Sequence, residues 1–232
     1  MFMNLERYCY KTELHLHTAP ASPCSEISPL MAVEQYAALG YHSIVISNHF
    51  YPQMRFIENK QQCISAYLED YKLAAEVGKK CGINVILGCE IRFIENCNDY
   101  LLFGIDEDFF DSAYDALSLG IKKFSQKFQN PKHMLIQAHP FRDGMIMVEP
   151  QYLDGIEVFN MHPNHNSRVA VAAQYAKKHD LIATAGTDFH HPEHQGLTAL
   201  LTDTELKDSH DIVNVLRSRD YLLDVGGFVV LP

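Results

Sequence analysis

Along the 232 residues, seven short apolar runs recur, most of them separated by helical patterns, and this alternation limits the possible folds more than any other feature. The runs are the one ending in Leu14-His15-Leu16-His17, then Ser43–Ser47, Ile83–Leu87, Asp99–Gly104, His133–Ala138, Asp154–Asn160 and Leu181–Thr184. Most are apolar throughout, which is the signature of parallel strands covered on both faces. Ser28-Pro29 opens a helix as N-cap and first helical residue, and Gly40 stops it. A second helix spans about Glu58 to Lys80 before Gly82, and a third spans Asp111 to Phe128 before Asn130-Pro131. A fourth starts near Ser167 and a fifth runs from Glu205 to Arg217. Seven βα-like units without a composition break predict a parallel α/β barrel, in one domain covering residues 1–232, rather than an open sheet with a second domain.

Composition narrows the functional classes. Hydrophobic residues make up 47% and charged residues 21%, enough for a full core. The net charge of −10 comes without any basic stripe, so a general nucleic-acid surface is not expected. No run reaches membrane-spanning length, and Met1–Tyr10 lacks the apolar centre of a signal peptide, which points to the cytoplasm. The six cysteines are scattered without a Cys-x-x-Cys pair and read as reduced thiols, with Cys81 and Cys89 filling core.

The polar residues concentrate where the strands end. In an extended strand residues i and i+2 share a face, so His15 and His17 present two imidazoles together. Other strand ends carry Asn48-His49, Glu90, His139, Glu157 with Asn160, and Asp188 with His190. Each has an ordinary structural reading: His49 as a cap, Glu90 as a partner of Arg92, His139 as a turn residue before Pro140, Asp188 as an N-cap. Chance placement, however, does not put ligand types at consecutive strand ends while leaving the interiors apolar. In parallel barrels those ends carry the chemistry. Five histidines and two carboxylates exceed what one four-coordinate ion needs, and Glu90 can bridge, so at least two metals are expected. The mixed N/O donors suit Zn, Mn or Fe better than Mg. No Gly-x-Gly-x-x-Gly, Walker loop or Gly-x-Ser-x-Gly elbow offers a competing chemistry.

On these residues the sequence resembles the PHP (polymerase and histidinol phosphatase) superfamily. His15-Leu16-His17-Thr18, Asn48-His49, Gly88-Cys89-Glu90, Ala138-His139-Pro140 and Gly186-Thr187-Asp188-Phe189-His190 match its five motifs in order. The segment Gly155–Asn160 with Asn166-Ser167-Arg168 resembles the stand-alone phosphoesterase branch. The resemblance implies a distorted (β/α)7 TIM-like barrel with two or three divalent metals (Zn, Mn or Fe) that hydrolyses a small phosphomonoester of the histidinol phosphate, nucleotide or sugar phosphate type. By it, His15, His17, Glu90 and Asp188 hold one metal, Glu90 and His139 a second, and His49 with His190 a third. The bridged metals activate a shared water as hydroxide, and Arg142 and Arg168 bind phosphate oxygens. The loops Phe50–Phe56 and Phe141–Val148 set specificity.

The chain departs from the family pattern in three places. Asn48 replaces the usual Asp, the loop Ala19–Glu26 lacks the usual Asp or His, and no histidine stands near Asn98-Asp99, where Asp99 is the available substitute. The third metal is therefore expected to bind more weakly than the other two. Two alternatives stay open: an amidohydrolase, which also uses His-x-His and a late Asp but usually adds a bridging Lys, and a metal-binding regulatory barrel without activity. Metal analysis of protein purified without chelator should find two or more transition-metal ions per chain. Less than one equivalent after reconstitution would overturn the multinuclear reading.

Overall fold

In the computed structural model, which describes residues 5–51 and 59–232, the apolar runs form strands laid side by side in chain order. Strand β1 (Tyr10–Glu13) leads through helix α1 (Pro29–Ala38) to β2 (Ser43–Ile46) and β3 (His49–Phe50). Helix α2 (Lys60–Cys81) precedes β4 (Asn84–Leu87), β5 (Cys89–Arg92) and β6 (Asp99–Phe103). Helices α3 (Phe109–Ala116) and α4 (Ile121–Phe128) precede β7 (Met134–Gln137) and β8 (Gly155–Asn160), and α5 (Val169–His179) precedes β9 (Ile182–Gly186). The chain ends with β10 (Thr198–Thr202), α6 (Ser209–Ser218), β11 (Leu222–Val225) and β12 (Phe228–Val230). Asn59 caps α2 by accepting from Gln62 N. The expected helix start at Glu58 and most of the expected specificity loop Phe50–Phe56 lie outside the described residues.

Two of the expected strands are each broken into two segments, at 47–48 and at Gly88. The segments before the breaks belong to a sheet of order β12-β11-β10-β1-β2-β4, those after them to β3-β5-β6-β7-β8-β9. Main-chain bonds from Gly88 N to Ile46 O (3.1 Å) and from Glu90 N to Asn48 O (3.0 Å) span the breaks. On the other side Leu16 bridges in parallel to Phe189, which brings the extension of β9 beside that of β1. The result is the expected α/β fold, a distorted (β/α)7-type barrel.

One strand runs against expectation. β6 pairs antiparallel with both β5 and β7, whereas the alternation predicts parallel strands throughout. Only residues 93–98 separate β5 from β6, far fewer than the dozen or so that a parallel crossover needs, so the chain turns back as a hairpin. The reversal has a functional consequence: β6 begins, rather than ends, on the side where the other strands finish, and so places Asp99 there.

Three further differences are local. The helix expected over Asp111–Phe128 is two helices, because Gly120 interrupts it and the Glu95 carboxylate accepts from Ile121 N at 2.7 Å to start α4. Strands β10 to β12 extend the sheet beyond the predicted seven, β10 pairing antiparallel with β1. Cys89 is buried as expected, but Cys81 is exposed in the last turn of α2.

The core beneath the strand ends is dry. Leu14, Val45, Ile86, Leu101 and Ile136 come from five different strand runs and form one buried cluster with α6 residues Ile212, Val213 and Leu216. Burying each such side chain contributes about 1.5–3 kcal/mol. No helix among the described residues is long and apolar enough to cross a membrane. After β6 the chain turns at Gly104, at φ +79°, where a Cβ would collide with the Lys132 carbonyl. Gly104→Ala should therefore destabilise the fold by more than about 1 kcal/mol in urea titration. An unchanged midpoint would show that the exit from β6 is not held at this point.

Candidate metal centre

The ends of β1, β3, β7 and β9, together with β5, deliver donors at this end. Among the described residues three groups have donor atoms within 4.8 Å of one another: His15, His17 and Asp188; Glu90, Asp99 and His139; and His17, His49 and His190. All seven expected metal residues are thus brought together, and Asp99 joins them because β6 is reversed. Glu90 is the hub. Its Oε1 lies 3.2 Å from His139 Nε2 and 3.5 Å from His15 Nε2, while its Oε2 lies 2.6 Å from His49 Nδ1 and 3.5 Å from His17 Nε2. Asp188 Oδ1 closes the other side, 3.4 Å from His15 Nε2 and 3.5 Å from His17 Nε2.

The tautomers follow from the outer partners. His15 Nδ1 donates to Glu157 Oε1 at 2.8 Å, and His17 Nδ1 donates to Ser22 Oγ at 3.3 Å. Each ring therefore carries its Nε2 lone pair inward, and both Nε2 atoms are buried without a hydrogen-bond partner. Two inward imidazole lone pairs between two carboxylates are a donor set that fits a divalent cation. Glu157, noted in the sequence only as a strand-end residue, also accepts from His139 N (2.9 Å) and Asn160 Nδ2 (2.9 Å), so one carboxylate aligns two ligands. His139 and Asp188 themselves sit in left-handed backbone, at φ +32° and +54°, a conformation costing on the order of 1–3 kcal/mol that aims their side chains into the cluster.

The departure at Asn48 has a structural reason. Its Oδ1 accepts from Thr18 N (2.6 Å) and Ser22 Oγ (2.9 Å), while its Nδ2 donates to Thr18 Oγ1 (2.9 Å). An Asp could not make the last bond, so this residue ties the first loop to β3 rather than facing the donors. Glu13 does similar work between β1 and the loop after β9, accepting from His15 N (3.0 Å) and Thr187 N (3.1 Å). Burial pushes its carboxyl up to about 6.

Electrostatics at the cluster pit burial against charge. Burial disfavours the charged form of Glu90, but the facing His49 and His15 imidazoles overcome this and hold its carboxyl well below the usual range. Asp188 is held low by His15 in the same way, against its burial. His17, which is buried and faces His49 and His190, is held well below the usual imidazole value and is neutral.

The two expected phosphate-binding arginines differ in placement. Arg142 lines the pocket above the donors, its guanidinium 3.6 Å from Asp99. Arg168 instead donates to the Phe141 carbonyl at 2.6 Å and pairs with Asp143 on the surface, outside the pocket lining. Arg92, read in the sequence as a partner of Glu90, pairs with Asp99 through two 2.8 Å bonds and lies 4.1 Å from the centre of the Tyr51 ring. His162 and His165 also line this pocket, which has a volume of about 730 Å³. Neither was singled out in the sequence, since no strand run ends at them.

A barrel whose strand ends converge on buried histidines and carboxylates belongs to the class of α/β barrels with a candidate metal site at the strand ends. The PHP domain family model matches residues 13–218, and the chain belongs to that family. It is 22% identical to a PolC-type DNA polymerase III of Oceanobacillus iheyensis over 71% of its own length, and spans 12% of that polymerase. Among solved structures it resembles a two-domain Bacteroides vulgatus protein containing a predicted PHP-like metal-dependent phosphoesterase. The TM-score is 0.66 at 16% identity, over 99% of this chain and 68% of that one. It also resembles an amidohydrolase from Chromobacterium violaceum, with a TM-score of 0.52 at 16% identity, over 78% of this chain and 88% of that one. These two likenesses concern the fold.

Glu157→Gln should weaken metal binding by about 10–100-fold, because an amide places a donor against His15 Nδ1–H or His139 N–H. Calorimetric titration with Zn or Mn reads this directly. Unchanged affinity would mean that Glu157 does not orient the ligands.

Proposed function

We propose that this protein is a metal-dependent hydrolase of small phosphomonoesters, of the histidinol phosphate, nucleotide or sugar phosphate type. The observation that carries the reading is Glu90 in contact with donors of all three groups beside a pocket of small-molecule size. The similar protein described as a metal-dependent phosphoesterase supports it. In this reading the 232 residues act as one catalytic domain on a soluble phosphorylated metabolite in the cytoplasm, without nucleic acid or membrane as partner.

His15, His17, Glu90 and Asp188 would hold one ion, Glu90, His139 and Asp99 a second, and His49 with His190 a third. When bound, two or three ions of Zn, Mn or Fe supply Lewis-acid polarisation of the phosphoryl oxygens and a water acidified towards neutral pH. The chain itself does the rest. The Arg142 guanidinium binds non-bridging phosphate oxygens, with Arg92 beside it holding Asp99 in register. His162 accepts from Asn164 N at its Nδ1, so its proton sits on Nε2 and donates a hydrogen bond to the substrate. The apolar floor of Leu14, Val45 and Ile136 excludes bulk water from beneath the reacting phosphate. Arg168 would have to release Phe141 and Asp143 to reach a phosphate, and the reading gives that role to Arg142.

The likeness to a protein named an amidohydrolase favours one second reading, hydrolysis of an amide at the same donors. Against it, no lysine lines the pocket among the described residues. Hydrolysis of an aryl phosphate and of an aryl amide, each with Mn or Zn and with chelator, separates the two. It also separates both from a regulatory barrel without activity. The phosphate should turn over with metal and stop with chelator. Glu90→Gln should cost more activity than His49→Ala, since only Glu90 touches every group. Equal losses would remove Glu90 from the bridging role.

A further inference from the structure

The loop 19–26 lacks the Asp or His expected there, yet it packs directly over His17, His49 and His190. Its polar residues can be taken one at a time. Ser22 Oγ donates to Asn48 Oδ1 (2.9 Å) and accepts from His49 N (2.9 Å), so it is fully engaged in holding the loop. Ser25 Oγ donates to the His17 carbonyl at 3.0 Å. The Glu26 carboxylate is exposed and pairs with His191 at 3.3 Å. Cys24 remains, and its Sγ lies 3.1 Å from His49 Nε2.

Independent of the cysteine, the three imidazoles already point to a ligand. His17 is fully buried and its Nε2 has no hydrogen-bond partner. His190 donates from Nδ1 to the Asp188 carbonyl at 2.9 Å, which leaves its Nε2 lone pair for the cluster. The donor atoms of His17, His49 and His190 lie within 4.8 Å of one another.

We infer that Cys24 is the loop ligand of the third metal position, completing with His49 and His190, beside His17, a nitrogen–sulfur site in place of the usual Asp or His. This rests on the metal-centre reading above but not on the identity of the substrate. On binding, the S–H bond breaks, the electron pair stays on sulfur and the proton leaves to solvent, with no change of oxidation state. The His49 and His190 imidazoles and the Cys24 thiolate form a nitrogen–sulfur set that, with one water or phosphate oxygen, suits tetrahedral Zn or Co, whereas the oxygen-rich groups around Glu90 and Asp99 accept Mn as readily. The third position is then the most thiophilic of the three instead of the weakest.

The test is to load the protein with cobalt(II), count the metal by elemental analysis, and record the near-ultraviolet absorption, where a thiolate–cobalt bond gives a charge-transfer band. The wild type should show three cobalt ions and the band. Cys24→Ala and Cys24→Ser should lose the band and one equivalent while keeping the other two. Cys24→Asp should recover the equivalent without the band, and Cys97→Ala, at an exposed thiol elsewhere, should change neither. Cobalt bound without a band in the wild type, or a band that survives in Cys24→Ala, would overturn the assignment and leave the rest of the centre standing. No bound cobalt at all would overturn the metal-centre reading along with it.

Discussion

Everything at the mouth of this barrel depends on how the chain tolerates Glu90, a carboxylate with no measurable exposure. An isolated buried charge is prohibitively costly, and it persists only where partners compensate it. Here the compensation comes from His139, His49, His15 and His17, which stand on three different strand ends and each lie within 3.5 Å of a Glu90 oxygen. Without a cation, that arrangement relies on the His15 and His49 imidazoles, which the facing carboxylates hold in the protonated form despite their burial. With one, the same donors turn their lone pairs to the metal. The strand ends are therefore built around a positive charge, and the ring of donors is the consequence.

Outer partners give that ring its precision. Glu157 orients His15 and the His139 main chain at once, Asn48 and Ser22 pin the first loop to β3, and Glu13 ties β1 to the loop after β9. None of these needs to touch a metal to matter, because a ligand that points a few tenths of an ångström astray loses its directional bond. The left-handed backbone at His139 and Asp188 belongs to the same design, since local strain is tolerated where the surrounding bonds over-determine it.

Glu90 and Gly186 show how tightly the two halves are coupled. A Cβ at Gly186 would collide with both the Glu157 carboxylate and the His15 side chain, so glycine at this strand end lets the second layer reach the first. The pocket above is lined by donors of that ring and by the guanidinium groups of Arg92 and Arg142.

The sequence alone determined the strand-and-helix alternation, the family, and the seven donors at strand ends. Buried parallel strands are apolar along their whole length, so a polar residue at their tip stands out. The direction of β6 was not legible, because a strand's residues look alike whichever way it runs, and that direction placed Asp99 among the donors. The added hairpin was missed although Gly226-Gly227 between apolar runs is a turn signal, since its strands are short and half polar. Arg92 and Arg168 took partners other than those expected because long flexible side chains are directed by neighbours such as Asp99 and Asp143, distant or unremarkable in the sequence. Cys24 and Glu157 acquired their places only through tertiary structure: a loop closing over three imidazoles and a strand crossing behind His15 are contacts at long sequence separation, which no local pattern encodes.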